Sequence, residues 1–203
     1  MAEGDIDMEG GVIHVRRQLK KVGSKLVFAL PKRGKIRAVP APPHLLAQLK
    51  AHMEAFPPKK ITLPWGDPDA PTSEKEEKER APQTFPLVFT SARGCAIRRD
   101  SWNQWSWKPA LAAAGIIPEP EMVRQGALGR IVPRYAAARE DGFHALRHTF
   151  ASVQLHARET IVAVSKWLGH ADPSITLRVY AHMMPEADGR GRHAMQRWFE
   201  ADS

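Results

Sequence analysis

Cysteine is almost missing from this 203-residue chain, where Cys95 stands alone. That excludes an intramolecular disulfide and any cysteine-built metal cage, and it sets the expectation of a reducing, cytoplasmic setting. Cys95 itself reads as a small buried or half-buried residue. No apolar run approaches the roughly 18 residues that a membrane span requires. The opening MAEGDIDMEGG is acidic where a secretory leader would be basic and then apolar, so membrane and secreted classes are set aside. Tyrosine is scarce too: Tyr135 and Tyr180 are the two available phenols.

Positive charge and apolar content are both ample. Thirty Lys and Arg oppose 22 Asp and Glu, a formal charge of +8, and the sequence pI is about 9.9. An excess of this size, where clustered, suits a polyanionic partner. With 43% hydrophobic residues the chain has enough apolar surface for a real core and is not disordered throughout.

The fold class expected from the pattern is α+β, mainly helical, with a small N-terminal antiparallel three-stranded sheet. β-rich runs punctuated by glycine turns predict strands over 12–19, 25–30 and 36–39. Leu45, Leu49 and Met53 then recur at four-residue spacing, as in an amphipathic helix over 42–56. From 56 to 86 prolines and the charged run SEKEEKER predict an exposed loop insertion. PLVFT predicts a short strand, and RDSWNQWSWKPALAAAG a helix stopped by Gly115, with Trp102, Trp105 and Trp107 expected in the core. Residues 116–142 read as a connecting segment. Beyond it, Leu146, Phe150 and Val153 at i, i+4, i+7 predict the buried face of a helix, with His144, Arg147 and His148 turned elsewhere. Thr160 is placed to cap a second helix that buries Ile161, Val164 and Leu168 and stops at Gly169. Asp172 and Pro173 open a third helix carrying Tyr180. A last amphipathic helix has Met195, Trp198 and Phe199 as its apolar anchor.

His144 and His148 sit at i, i+4 in FHALRHTFASV, a spacing that can ligate zinc from one helix face. A zinc protease has a glutamate between its histidines, whereas here Arg147 intervenes with a positive charge that repels a divalent cation. No metal and no cofactor is therefore expected. Alone, the segment reads equally well as an ordinary helix surface.

It does not stand alone, because HALRHTFAS and WLGHADPSITLRVYAHM, at their mutual spacing, resemble the catalytic core of the tyrosine recombinase (phage integrase) family. The family pattern is His-x-x-Arg, then Leu-Gly-His about two helices on, then a tyrosine about ten residues later; His144, Arg147, His170 and Tyr180 occupy those positions. The N-terminal stretch DIDMEGGVIHVRRQL to PKRGKIRAVPAPPHLLAQL resembles the family's strand hairpin and following helix. Lys32 matches the family's catalytic lysine in the turn before the third strand, and Lys35 is the second choice for that role. The resemblance covers nearly the whole chain apart from 56–86 and 116–142.

The resemblance implies site-specific DNA recombination through a 3′-phosphotyrosine intermediate. A tyrosine ester stores the phosphodiester energy without metal or nucleotide. Tyr180 would be the nucleophile, Arg147 and His170 would hold the non-bridging phosphate oxygens, His144 would act in proton transfer or steady the phosphate, and Lys32 would protonate the departing 5′ oxygen. His148 is set aside as a packing or hydrogen-bonding neighbour. Arg16, Arg17, Lys35, Arg37 and Arg178 are the expected contacts to the DNA backbone. The implied partners are double-stranded attachment sites and other integrase protomers, a tetramer on DNA, in the cytoplasm and associated with the nucleoid. One departure stands out: the family carries a further catalytic arginine in a Gly-Leu-Arg-x-Gly-Glu type motif ahead of the hairpin, and none precedes Gly11. The expectation is thus a catalytic domain over 1–203 lacking that helix and the family's separate DNA-binding domains, with weak DNA binding and poor cleavage in isolation. The alternative is a catalytically inactive DNA-binding or integrase-interacting remnant.

Overall fold

Strands fill the first part of the chain and helices the last. The computed structural model describes residues 1–66, 73, 81–126, 129–137, 141–184 and 189–201, and the chain divides into two units, Met1–Asp141 and Gly142–Ser203.

In the first unit, β1 (Ile6–Asp7), β2 (Val12–Val15), β3 (Gln18–Val22), β4 (Lys25–Ala29) and β5 (Arg37–Pro40) follow one another. They make two separate pieces: an antiparallel sheet in the order β1-β2-β5, with Ile6 opposite Ile13 and His14 opposite Ala38, and a β3–β4 hairpin. The single strand expected over 12–19 is therefore broken. The break falls at Arg16 and Arg17, both drawn to the segment before β1: Arg17 donates to Asp5 at 2.7 Å, and Arg16 donates to the Gly4 carbonyl at 3.0 Å. The strand expected over 25–30 pairs with β3 and bridges Trp65 through Phe28 rather than joining the three-stranded sheet, where β1 takes the third place. Between β4 and β5 lies a tight turn, Lys32–Gly34, in which Arg33 has φ 64°. A left-handed non-glycine costs roughly 1–2 kcal/mol, so this lysine-bearing turn is held under strain.

Helix α1 (Pro43–Ala55) starts on a proline at its first position. Its inner residues are Leu46 and Leu49 with Met53 half-buried, while Leu45 is exposed, so the stripe lies one residue round from the expected one. Strands β6 (Lys59–Leu63) and β7 (Gln83–Leu87) pair antiparallel, Lys59 opposite Leu87. The ends of the stretch read as a loop are thus strand, and the strand expected at PLVFT begins earlier. Apart from Ser73, SEKEEKER lies outside the described residues.

Helix α2 (Arg99–Trp102) runs through a π turn (Asn103–Trp107) into α3 (Lys108–Ala113), and Gly115 at φ 70° follows the helix end. The widened turn shifts the phase of the tryptophans. Trp107 is half-buried and donates to the Asp141 carbonyl at 2.9 Å, but Trp102 and Trp105 are exposed, against the expectation that all three enter the core. Strands β8 (Glu121–Gln125) and β9 (Arg130–Arg134) form a hairpin where a plain connection was expected. Most of its residues are exposed, so the hairpin has no buried face whose alternation could have revealed it. Cys95 is exposed as well.

The second unit contains α4 (Phe143–His156), α5 (Ile161–Leu168), α6 (Pro173–Tyr180) and α7 (Arg190–Ala201). Ala151, Leu155, Val164, Leu168 and Tyr180 form its core, with Phe150, Ile161 and Trp167 packed against them. Each large aliphatic side chain buried there contributes up to about 1.5–3 kcal/mol. The caps lie as the sequence indicates. Thr160 accepts from the Ala163 amide at 3.1 Å, Gly169 ends α5 at φ 72°, and Asp172 accepts from the Ser174 amide at 2.9 Å. The face of α4 differs from expectation, since Leu146 and Val153 are exposed and the buried stripe runs through Ala151 and Leu155. Arg147 precedes Ala151 by one turn on that same stripe, so the arginine points toward the packed side. Ala151 is 0% exposed, and its small side chain lets neighbouring helices come close to the α4 backbone.

Candidate active site

Arg147, His148, His170, Thr176 and Tyr180 come from helices α4 and α6 and the turn after α5. Arg147, on the packed stripe of α4, donates to the Leu168 carbonyl at 2.6 Å. That carbonyl belongs to the last turn of α5, where intrahelical partners run out and the helix dipole leaves negative charge. The bond fixes the guanidinium, which carries five N–H groups in all.

His170 follows the Gly169 stop, and its amide donates to the Ser165 carbonyl at 3.0 Å. Its Nδ1 meets the Thr176 hydroxyl at 2.8 Å, and Thr176 is 0% exposed. With the hydroxyl donating, Nδ1 accepts and Nε2 carries the proton, which makes the outer nitrogen a donor. Burial, and then the nearby positive charge of Arg147, holds the His170 pKa below the ordinary value, so the ring is neutral at neutral pH.

Tyr180 ends α6 and is 4% exposed, packed into the core by its ring. Thr176 lies one turn before it on the same buried stripe. The Tyr180 hydroxyl meets Nδ1 of His148 at 2.8 Å, with the two ring centroids 5.5 Å apart. Burial pushes the Tyr180 pKa up, and Arg147 opposes that rise. His144 lies one turn before Arg147 on α4 and is exposed.

Two members of this cluster lie outside the set that the sequence marks as catalytic. His148 follows Arg147 directly, and the hydrogen-bonding neighbour expected there is the partner of the phenol. Thr176 carried one available signal: it precedes Tyr180 by four residues, so a buried Tyr180 implies a buried Thr176 on the same helix face.

The remaining site residues of the sequence reading lie in the first unit, Arg178 excepted. Lys32 is exposed in its strained turn, and Lys35 and Arg37 follow it. Arg16 is partly exposed. Arg17 is committed internally: it is ion-paired with the buried Asp5, and its guanidinium lies 3.8 Å over the Phe85 ring. Arg178 is exposed on α6. Among the described residues, no three His, Cys, Asp or Glu side chains gather as a metal ion requires, and no helix is long and apolar enough to cross a membrane.

Two expectations follow from the His170 environment. In Thr176→Val the buried volume is kept and the hydroxyl lost, so the outer nitrogen no longer carries a fixed proton. Histidine 15N spectra should show the His170 ring, held as one tautomer in the parent, become a mixture of tautomers in Thr176→Val. The second concerns stability. A histidine whose folded pKa is lowered leaves the unfolded chain holding more protons, so its contribution is full above the unfolded value and is lost as pH falls through the folded one. Melting temperatures followed downward from neutral pH should therefore drop less in His170→Gln than in the parent; identical slopes would refute the assignment.

No family model matches the sequence. A tyrosine recombinase XerC-like protein of Caldanaerobacter subterraneus subsp. tengcongensis is 27% identical over 198 residues, covering 90% of this chain and 40% of the relative. The Tn1549 transposon integrase, solved with circular intermediate DNA, superposes with a TM-score of 0.59 at 17% identity over 98% of this chain and 53% of that one. The same integrase with transposon right end DNA gives 0.58 at 17% identity, over 97% and 52%. The structural likeness establishes the fold, and the chain spans about half or less of the length of the proteins it matches. Taken with the sequence likeness over nine-tenths of its own length, the chain is similar in sequence to a tyrosine recombinase and in fold to a transposon integrase.

Proposed function

We propose that this chain is the catalytic part of a site-specific DNA recombinase that cleaves and rejoins strands through a 3′-phosphotyrosine at Tyr180. The observation that carries the reading is the placement of the Tyr180 hydroxyl in one packed three-helix unit with Arg147 and His170, the two groups suited to a phosphate. Attack by the phenol on phosphorus spreads charge over the non-bridging oxygens. The planar fork of Arg147 and the Nε2–H of His170 stabilise that charge most when it is greatest, in the transition state. Lys32 is the acid for the departing 5′ oxygen, and the strained turn that carries it belongs to the strand-rich unit that we read as the family's DNA-facing hairpin and sheet.

Arg16, Lys35, Arg37 and Arg178 are the proposed backbone contacts, with Arg17 bracing the hairpin region through Asp5 rather than meeting DNA. Binding should weaken steeply with salt, since each neutralised phosphate releases counterions. In the cell the protein would act in the nucleoid, and its protomers would assemble as a tetramer on DNA. Helix α7, with Met195, Trp198 and Phe199 all exposed, is the segment suited to a neighbouring protomer. The test of function is covalent trapping on a nicked duplex. A denaturant-resistant protein–DNA adduct whose modified peptide contains Tyr180 supports the reading, and an adduct mapped to Tyr135 refutes it.

A further inference from the structure

We propose that His148 is a catalytic residue, the base that takes the phenolic proton from Tyr180 as its oxygen attacks phosphorus. The proposal rests on the reading of Tyr180 as nucleophile and replaces His144 in the proton-transfer role. Its ground is contact: Nδ1 of His148 lies 2.8 Å from the Tyr180 hydroxyl, within the reach that proton transfer demands. The two rings are tilted by 53° rather than stacked, so the meeting is one of a ring-edge nitrogen with a hydroxyl.

Position in the helix favours the role. His148 follows Arg147 on α4, so one helical turn carries both the cation for the phosphate and the acceptor for the proton. The Tyr180 ring is buried while His148 is exposed. A proton received on Nδ1 can therefore be matched by release from Nε2 to solvent, without a second buried acceptor. Burial also raises the Tyr180 pKa, so the phenol is protonated at neutral pH and requires a base to become an efficient nucleophile.

The step balances. An oxygen lone pair of Tyr180 forms the bond to phosphorus, and the phenolic proton passes to Nδ1 of His148. The bond from phosphorus to the 5′ oxygen breaks with its electron pair on that oxygen, which takes a proton from the acid, Lys32 in the reading above. In rejoining, the 5′ hydroxyl attacks phosphorus and gives its proton back to the Lys32 amine, while the bond from phosphorus to the phenolic oxygen breaks with its electron pair on that oxygen, which takes its proton from Nδ1–H of His148.

The experiment uses the full 203-residue chain on nicked duplexes with a randomised core, made with either an ordinary phosphodiester or a 5′-bridging phosphorothiolate. The phosphorothiolate leaves without an acid but still needs the phenol deprotonated. His148→Ala should form adduct on the order of 100-fold more slowly on both substrates, and free imidazole should restore a good part of the rate. Lys32→Ala should be slow only on the phosphodiester. In parallel, 15N spectra of the histidine-labelled chain should show an accepting Nδ1 on His148 that shifts in Tyr180→Phe. A parental rate in His148→Ala, a slowed variant indifferent to imidazole, or a His148 signal unmoved by Tyr180→Phe overturns the proposal and leaves the recombinase reading standing. Absence of adduct from the parent chain on the phosphorothiolate, or its persistence in Tyr180→Phe, overturns the recombinase reading itself and His148's role with it.

Discussion

Tyr180→Phe is expected to form no denaturant-resistant adduct with DNA while folding and binding DNA as the parent does. The substitution removes a single oxygen. The ring that stays behind keeps its packing among Ala151, Leu155, Val164 and Leu168, so the core loses no volume. What the fold loses is the bond to His148, worth about 0.5–1.5 kcal/mol, a cost lessened because the exposed His148 can bond to water instead. What the chemistry loses is the atom that would carry the phosphoryl group, and no neighbour in the cluster substitutes for it, since Arg147, His170 and Thr176 have no phenol to offer. Tyr135→Phe is the control: its ring packs beside Leu111, Ala112 and Ile117 in the other unit, and its adduct yield should match the parent's. Denaturing gels on a nicked substrate, with a melting curve for each variant, decide the matter. Adduct from Tyr180→Phe in a folded chain would remove the nucleophile assignment.

The order of helices in the second unit was legible in the sequence, because each end is marked by a residue with a local reason to be there. Thr160 accepts an amide, Gly169 adopts the left-handed turn, and Asp172 caps a helix that Pro173 begins. None of those signals depends on what packs where. Which face of α4 turns inward was legible only at Phe150, which packs against the core, since the exposed Leu146 and Val153 complete a stronger apolar stripe with it than Ala151 and Leu155 do. Close packing against a helix that also presents Arg147 favours the small alanine, and an apolar count gives no credit for smallness. The same gap hid His148: its role comes from the position of Tyr180, which is distant in sequence. In the first unit the β8–β9 hairpin escaped notice because a strand pair exposed along most of its length has no hydrophobic alternation. The break at Arg16 and Arg17 was set by Asp5, a buried charge whose partner no periodicity identifies. The sequence thus carried the residue types of the site and their order, while the structure supplied their contacts.

Arg147→Ala should lower adduct formation by about 10³-fold or more, the scale seen when a positioned cation is removed from a phosphoryl-transfer site. Arg147→Lys should recover little of it. Lysine keeps the charge but not the fork, and the site uses the fork twice: one N–H group holds the Leu168 carbonyl at 2.6 Å, and the phosphate needs others at the same time. A single ammonium on a flexible stem cannot satisfy a helix end and two phosphate oxygens together. Two further readouts separate this from simple loss of structure. Arg147 is a cause of the lowered His170 pKa and opposes the rise at Tyr180. Its removal should therefore move the His170 titration, followed by NMR, toward the ordinary value, and should push the phenol higher still. DNA binding should persist with a salt slope reduced by about one, as one phosphate contact is lost from several. Melting should shift as well, because the Leu168 carbonyl loses a charged partner worth about 1.5–3 kcal/mol, so rates are compared where both variants remain folded. A lysine variant with parental rate would show that charge alone suffices, and the fixed guanidinium would then be a structural clasp between α4 and the end of α5.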